Sequence, residues 1–176
     1  MTDKQVSDSG RKAVFEVMIE GSIEAVWHEI TKQDEPQQCF FNMWMDTDQM
    51  GVGGQLRMRT KSKKYTGAAG EILEFEPPTR YAHTFRFTHL EDPPCIVAYD
   101  LEDLGGKVRF RLTVSDMTPG TKSAKQMTQG GTMIVNTLKS MVETGRPGFG
   151  TRMLFCLFRA FEPFSPKATR SEQWPL

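Results

Sequence analysis

The chain has 176 residues, with 22 basic and 22 acidic side chains and so no formal net charge when histidine is neutral. This balance supplies no overall field to recruit nucleic acid, and it does not favour an anionic membrane as a partner. One domain with a tail accounts for the length, and a chain of this size buries around 70% of its unfolded surface.

Cys39, Cys95 and Cys156 are odd in number, widely separated and without the paired spacing of a zinc site. Free thiols in a reducing compartment are expected, with no metal and no cofactor. The opening residues MTDKQVSDSGRK lack the apolar core of a signal peptide, and no window approaches the roughly 18 apolar residues of a membrane span. The expected location is cytoplasmic. Eleven methionines suit irregular core filling, or a pocket that adapts to its contents.

Residues 1–11 are polar and expected to be disordered. Residues 13–20 alternate, placing Ala13, Phe15, Val17 and Ile19 on one face of a first strand. Ser22 can cap a helix in which Ile23, Val26, Trp27 and Ile30 share a stripe, with His28 on the solvent side. The irregular segment 31–54 suggests a short second helix, an apolar cluster containing Trp44, and a Gly53-Gly54 turn. Strands follow at 55–60, with Leu56 and Met58 inward, and at 65–75, where Gly67 and Gly70 allow a bulge. Pro77 and Pro78 end that strand; Tyr81, His83, Phe85 and Phe87 restart a period of two. A strand with Val97, Tyr99 and Leu101 on one face then turns at Gly105-Gly106 into the sixth, carrying Val108, Phe110, Leu112 and Val114.

Residues 122–143 have the clearest helical phase, with Ala124, Met127, Gly131, Ile134, Leu138, Met141 and Val142 on one side and Gly145 placed to stop the helix. Gly130 and Gly131 would each cost about 1 kcal/mol against alanine inside a helix, which implies a kink or a close approach by something large. Because the inner face is bulky towards residue 142 and small towards residue 124, unfilled volume is expected beneath residues 124–131.

The segments IEAVWHEIT (23–31), Trp44, Gly53-Gly54, GEILEFEPPTR (70–80), the strand pair around Gly105-Gly106 and LKSMVETG (138–145) carry a resemblance. The chain resembles the SRPBCC superfamily, also called START-like or birch-pollen-allergen-like. Within it, the chain is similar to the bacterial branch named for homology to the activator of the ninety-kilodalton heat-shock-protein ATPase. The resemblance spans roughly residues 13–145 and implies an α+β helix-grip fold. In that fold a curved antiparallel sheet, here of about six strands, wraps a long C-terminal helix, with two short helices after strand one. The expected division is a disordered segment 1–11, a START-like domain 12–145, and a hydrophobic helix and tail 146–176. The branch commonly carries an aromatic residue near the start of the last helix; QMTQGGTM here does not.

Superfamily members include lipid and sterol carriers, cyclases and co-chaperone domains, so the fold alone selects no function. The polar side chains sharing the inward strand faces are His83 and Tyr99. Together with Phe85, Phe110, Met58, Trp44, Met127 and Gly131 they form the expected ligand-binding set, for a small hydrophobic molecule held without catalysis. One alternative is a protein-interaction module of co-chaperone type. The other is a cyclase or hydrolase with His83 as general acid or base. No nucleophile elbow, metal-ligand cluster or phosphate loop points to specific chemistry. In the tail, residues 151–162 form a helix whose apolar arc contains Met153, Leu154, Leu157, Phe158 and Phe161. That arc has three destinations: its own domain, a second subunit (a homodimer through residues 149–162), or a membrane interface.

Overall fold

The alternating segment at 13–20 becomes strand β2 (Ala13–Glu20) of an antiparallel sheet, with Ala13, Phe15, Val17 and Ile19 buried. The computed structural model describes residues 3–6 and 10–176. Its other strands are β1 (Asp3–Val6), β3 (Trp44–Thr47), β4 (Gln55–Arg59), β5 (Thr66–Glu76), β6 (Arg80–Phe87), β7 (Cys95–Asp103) and β8 (Lys107–Ser115). Spatially they run β1-β2-β8-β7-β6-β5-β4-β3. From β4 to β8 each strand pairs with its predecessor in the chain, as hairpin connections dictate, and β2 closes against β8.

Helix α1 (Ile23–Thr31) starts at Ser22, whose hydroxyl accepts from the Ala25 N–H, and it buries Ile23, Val26 and Ile30 while leaving His28 exposed. The long helix α2 (Lys122–Thr144) is capped by Thr121 and ended by Gly145, which takes the left-handed conformation at φ 71°. It packs chiefly across β2 and against the segment after α1, so the sheet grips it in the helix-grip arrangement.

Three details differ from the sequence reading. Eight strands are described rather than six; the additions, β1 and β3, are four residues long and lie at the two ends of the sheet order. β3 buries only Met45, which is too little alternation to register as a strand pattern. The expected second helix is a single 3-10 turn at Gln38–Phe40, stopped by Phe41 and Asn42 at φ 58° and 60°. The segment 1–11, expected to be disordered, contains β1, which pairs with β2; residues 1, 2 and 7–9 lie outside the described residues.

Helix α3 (Phe149–Phe161) follows, and the remaining tail straps the outer side of β4–β6. The Ser171 N–H donates to the Lys64 carbonyl at 2.9 Å. Arg57 and Arg59 donate to the Pro175 and Trp174 carbonyls, each at 3.2 Å. The Arg86 guanidinium lies 5.4 Å from the Trp174 ring centre, a cation–π distance. The outward arginines of these strands therefore hold the C-terminus.

α2 runs unbroken through both glycines. A Cβ on Gly131 would sit 2.2 Å from the ring of buried Phe15, whereas one on Gly130 would meet only the tip of Phe41 at 3.4 Å. The two positions should therefore respond oppositely in denaturant unfolding. Gly130→Ala is expected to be neutral or to gain up to about 1 kcal/mol from helix propensity. Gly131→Ala is expected to lose about 1–3 kcal/mol through overpacking.

Candidate functional site

Because α2 lies over β2, the inward faces of β4 to β7 are roofed by the edge of its N-terminal half, by the turn around Phe40 and Phe41, and by Ile30 at the end of α1. A cavity of about 520 Å³ lies between them, walled by the sheet and by Met127, Gly130, Gly131 and Ile134 of α2. Its lining is apolar, aromatic and rich in methionine, with Met43, Met45 and Met58 on the β3–β4 side. No Lys, Arg, Asp or Glu is among the described lining residues. Exposed His89, Gln126 and Gln129 and the Phe158 ring of α3 stand at the mouth. A groove of about 720 Å³ lies on the opposite sheet face, and its charged walls are already paired as Arg80 with Glu74 and Asp100, and Arg111 with Glu16. The apolar cavity is the better site, since small-molecule pockets are concave and mostly apolar.

His83 is the buried polar centre of the cavity wall, only 4% exposed. Its Nδ1 lies 2.7 Å from the Thr84 carbonyl oxygen, which can only accept, so Nδ1 carries the hydrogen. Nε2 is then the acceptor and takes the Tyr99 hydroxyl at 3.3 Å. Gly70 makes this arrangement possible, because a Cβ there would come within 1.9 Å of the Thr84 oxygen. The β5–β6 ladder opens at this point: the Glu71 N–H bonds the Thr84 hydroxyl, leaving the Thr84 carbonyl to hold the imidazole. Desolvation outweighs that bond and pushes the His83 pKa down to about 4. Burial likewise raises Tyr99 and Tyr81 above the ordinary phenol range. At neutral pH the site is therefore uncharged. Cys39 and Cys95 are buried thiols raised by desolvation, Cys95 to about 11. Among the described residues, no three His, Cys, Asp or Glu side chains gather as a metal site would need.

Residues 20–143 match the protein family described as Activator of Hsp90 ATPase homolog 1-like protein. The chain belongs to this family. No curated protein matches it. Among solved structures, CalU16 from Micromonospora echinospora superposes with a TM-score of 0.64 at 17% identity, over 84% of this chain and 78% of that one. DynU16, from the dynemicin biosynthetic locus, gives 0.62 at 20% identity, over 80% of this chain and 49% of that one. The Aha1 dimer from Colwellia psychrerythraea gives 0.60 at 16% identity, over 76% of this chain and 97% of that one. At these identities the likeness is one of fold, the helix-grip fold of the family.

Of the residues singled out in the sequence, His83, Tyr99, Phe85, Met58, Met127 and Gly131 come together on the cavity wall. Trp44 and Phe110 do not. Trp44 alternates with Met45 on β3, so when Met45 faces the cavity Trp44 faces away, with Lys63 5.8 Å from its ring centre. Phe110 is fully buried beyond the cavity, opposite Val17 and Leu101 in the ladder and stacked on Tyr99 at 6.1 Å. The sequence reading missed Tyr81 and Gln37 as wall residues. Tyr81 shares the alternating face of His83 and was legible there, while Gln37 sits in an irregular segment after Pro36 with no periodicity to place it.

The depressed His83 pKa makes a signed prediction. As pH falls below the ordinary value of 6.5 the unfolded chain binds a proton that the folded chain refuses until about 4. Stability should therefore fall through that window, by on the order of 3 kcal/mol for this group. Denaturant titrations at neutral and acid pH should show a shallower fall for His83→Gln than for the parent chain.

Proposed function

We propose that the protein binds a small, mainly apolar molecule in the cavity between the sheet and α2, without catalysing a reaction. The observation that carries this reading is the 520 Å³ cavity itself, lined by apolar and aromatic side chains and a few fixed polar groups. DynU16 comes from a biosynthetic locus, which accords with small-molecule traffic on this fold. A cyclase or hydrolase working through His83 has less support: its acceptor nitrogen is engaged by Tyr99 and its basicity is low for work near neutrality. A neutral fluorescent dye, N-phenyl-1-naphthylamine, tests the reading. Saturable one-to-one binding is expected, weakened at least about tenfold by Ala68→Phe. That substitution fills the cavity from β5 and should leave the thermal midpoint essentially unchanged. Absence of saturable binding, or equal binding by the variant, would refute it.

For the partner surface we propose a second copy of the chain, docked on α3. This helix buries no residue completely; Leu154 and Phe155 are half-covered, while Phe149, Met153, Leu157, Phe158, Phe161 and the following Phe164 are 79%, 56%, 51%, 47%, 64% and 81% exposed. Taking roughly 200 Å² for a large side chain, they leave about 750 Å² of apolar surface in water. A standard interface takes about 800 Å² from each partner. Phe149, Met153, Leu157 and Phe161 recur every fourth residue, a ridge that can interdigitate with its own copy about a two-fold axis. Only Arg152 and Arg159 flank the arc within α3, a thin basic face for a membrane surface. Light scattering should give a dimer for the parent chain and a folded monomer for Leu157→Glu; a monomeric parent chain would refute the assignment.

A further inference from the structure

Helix α3 runs between two tethers and is loosely held along its own length. Its start follows the end of α2 through the segment 145–150, where Gly145, Gly148 and Gly150 flank Pro147 and no side chain caps the helix at Gly148. A Cβ on Gly148 or Gly150 would meet nothing within 4 Å, and Gly148 has an ordinary φ of −57°. Neither packing nor a left-handed backbone demands glycine there, so what these two residues supply is backbone freedom. At the far end the Ser62 hydroxyl donates to the Glu162 carboxylate, and the strap beyond is fixed where the Thr66 and Ser171 hydroxyls meet at 2.9 Å. Between these ties α3 buries none of its 13 residues. A helix of this length is marginal alone, and one without buried contacts shifts locally at little cost.

The two sides of α3 differ. Thr151, Leu154, Phe155 and Glu162 are partly covered and recur with Phe158 at spacings of three and four, so these residues share one side. The exposed ridge that begins at Phe149 occupies another. On the covered side Phe158 reaches the cavity mouth, its ring centre 6.5 Å from that of Phe41. Phe41 in turn leans on α2, its ring tip 3.4 Å from where a Cβ on Gly130 would stand. The two rings therefore stand together at the entrance to the apolar cavity, one seated on the domain and the other carried by the loosely held helix.

Resting on the binding reading above, we propose that α3 is the lid of the cavity. It tilts on the segment 145–150 and on its tie at Glu162, and Phe158 closes the entrance by packing on Phe41. Ligand exchange requires that pair to part. A lid sets a barrier that the ligand crosses both inward and outward, so changing it alters both rates alike and leaves their ratio in place. A side chain that merely touched the bound ligand would act on dissociation.

Stopped-flow mixing of the full chain with N-phenyl-1-naphthylamine tests this, with parent and variants compared at concentrations where light scattering gives them the same mass. Phe158→Ala should accelerate association and dissociation alike, each at least about fivefold, with Kd shifted less than about threefold. Gly148→Ala combined with Gly150→Ala stiffens the segment and should slow both rates at least about threefold. Phe158 is half exposed and neither new methyl group meets an obstacle, so these variants should keep the parent's thermal midpoint or exceed it. Rates unchanged in either variant, or faster dissociation alone in Phe158→Ala, would overturn the lid while the binding reading stands. If the dye does not bind the parent chain, the binding reading falls and this inference falls with it.

Discussion

Gly131 faces the ring of Phe15 with no room between them for a Cβ, so α2 seats directly on β2 at that point. A helix held down on one side of a curved sheet cannot also cover the other side. The C-terminal half of α2 fills its space with Val135, Leu138 and Met141, all buried, while the half before Gly131 leaves β4 to β7 roofed by its edge, the Phe40–Phe41 turn and Ile30 of α1. The cavity follows from where the helix is pinned. Large side chains could have filled it; instead the sequence places Gly67, Ala68 and flexible methionines there, residues that line a space without closing it.

A second glycine sets the polarity of that space. With no side chain at Gly70, the Thr84 carbonyl leaves the ladder and binds His83, which fixes one tautomer and turns the other ring nitrogen to Tyr99. Tyr81, His83 and Tyr99 thereby form a buried aromatic group whose members are neutral near pH 7, the histidine because desolvation lowers it and the tyrosines because desolvation raises them. An uncharged but hydrogen-bonding wall suits recognition of a neutral molecule more than acid–base chemistry.

Much of this was legible in the sequence, for physical reasons that differ by element. Period-two alternation exposed the six longer strands, and the 3.6-residue phase of 122–143 exposed the long helix, because each buries one face only. The small-residue half of that helix predicted where the space would be. Trp44 lies off the cavity wall because β3 buries one residue and gives no phase to read; Phe110 points inward as its alternation implies, but an inward face does not say whether the space above it is open or packed. Gln37 was invisible, since its place depends on a 3-10 turn and two left-handed residues rather than on a pattern. In the tail, the helix was readable from its apolar content, but the strap beyond it depends on backbone carbonyls meeting Arg57 and Arg59, which no side-chain pattern encodes.

Phe158 lies beside Phe41 at the mouth, their ring centres 6.5 Å apart, so the helix bearing the exposed ridge also borders the cavity entrance. On the proposed reading the cavity holds a small neutral molecule. Native mass spectrometry of the protein isolated from its own host tests that claim most directly. The account predicts one added mass of a few hundred daltons per chain, released on denaturation and recoverable as an uncharged, mainly apolar compound. Only the bare chain mass in gently prepared samples, together with failure to retain any added neutral apolar compound, would contradict it.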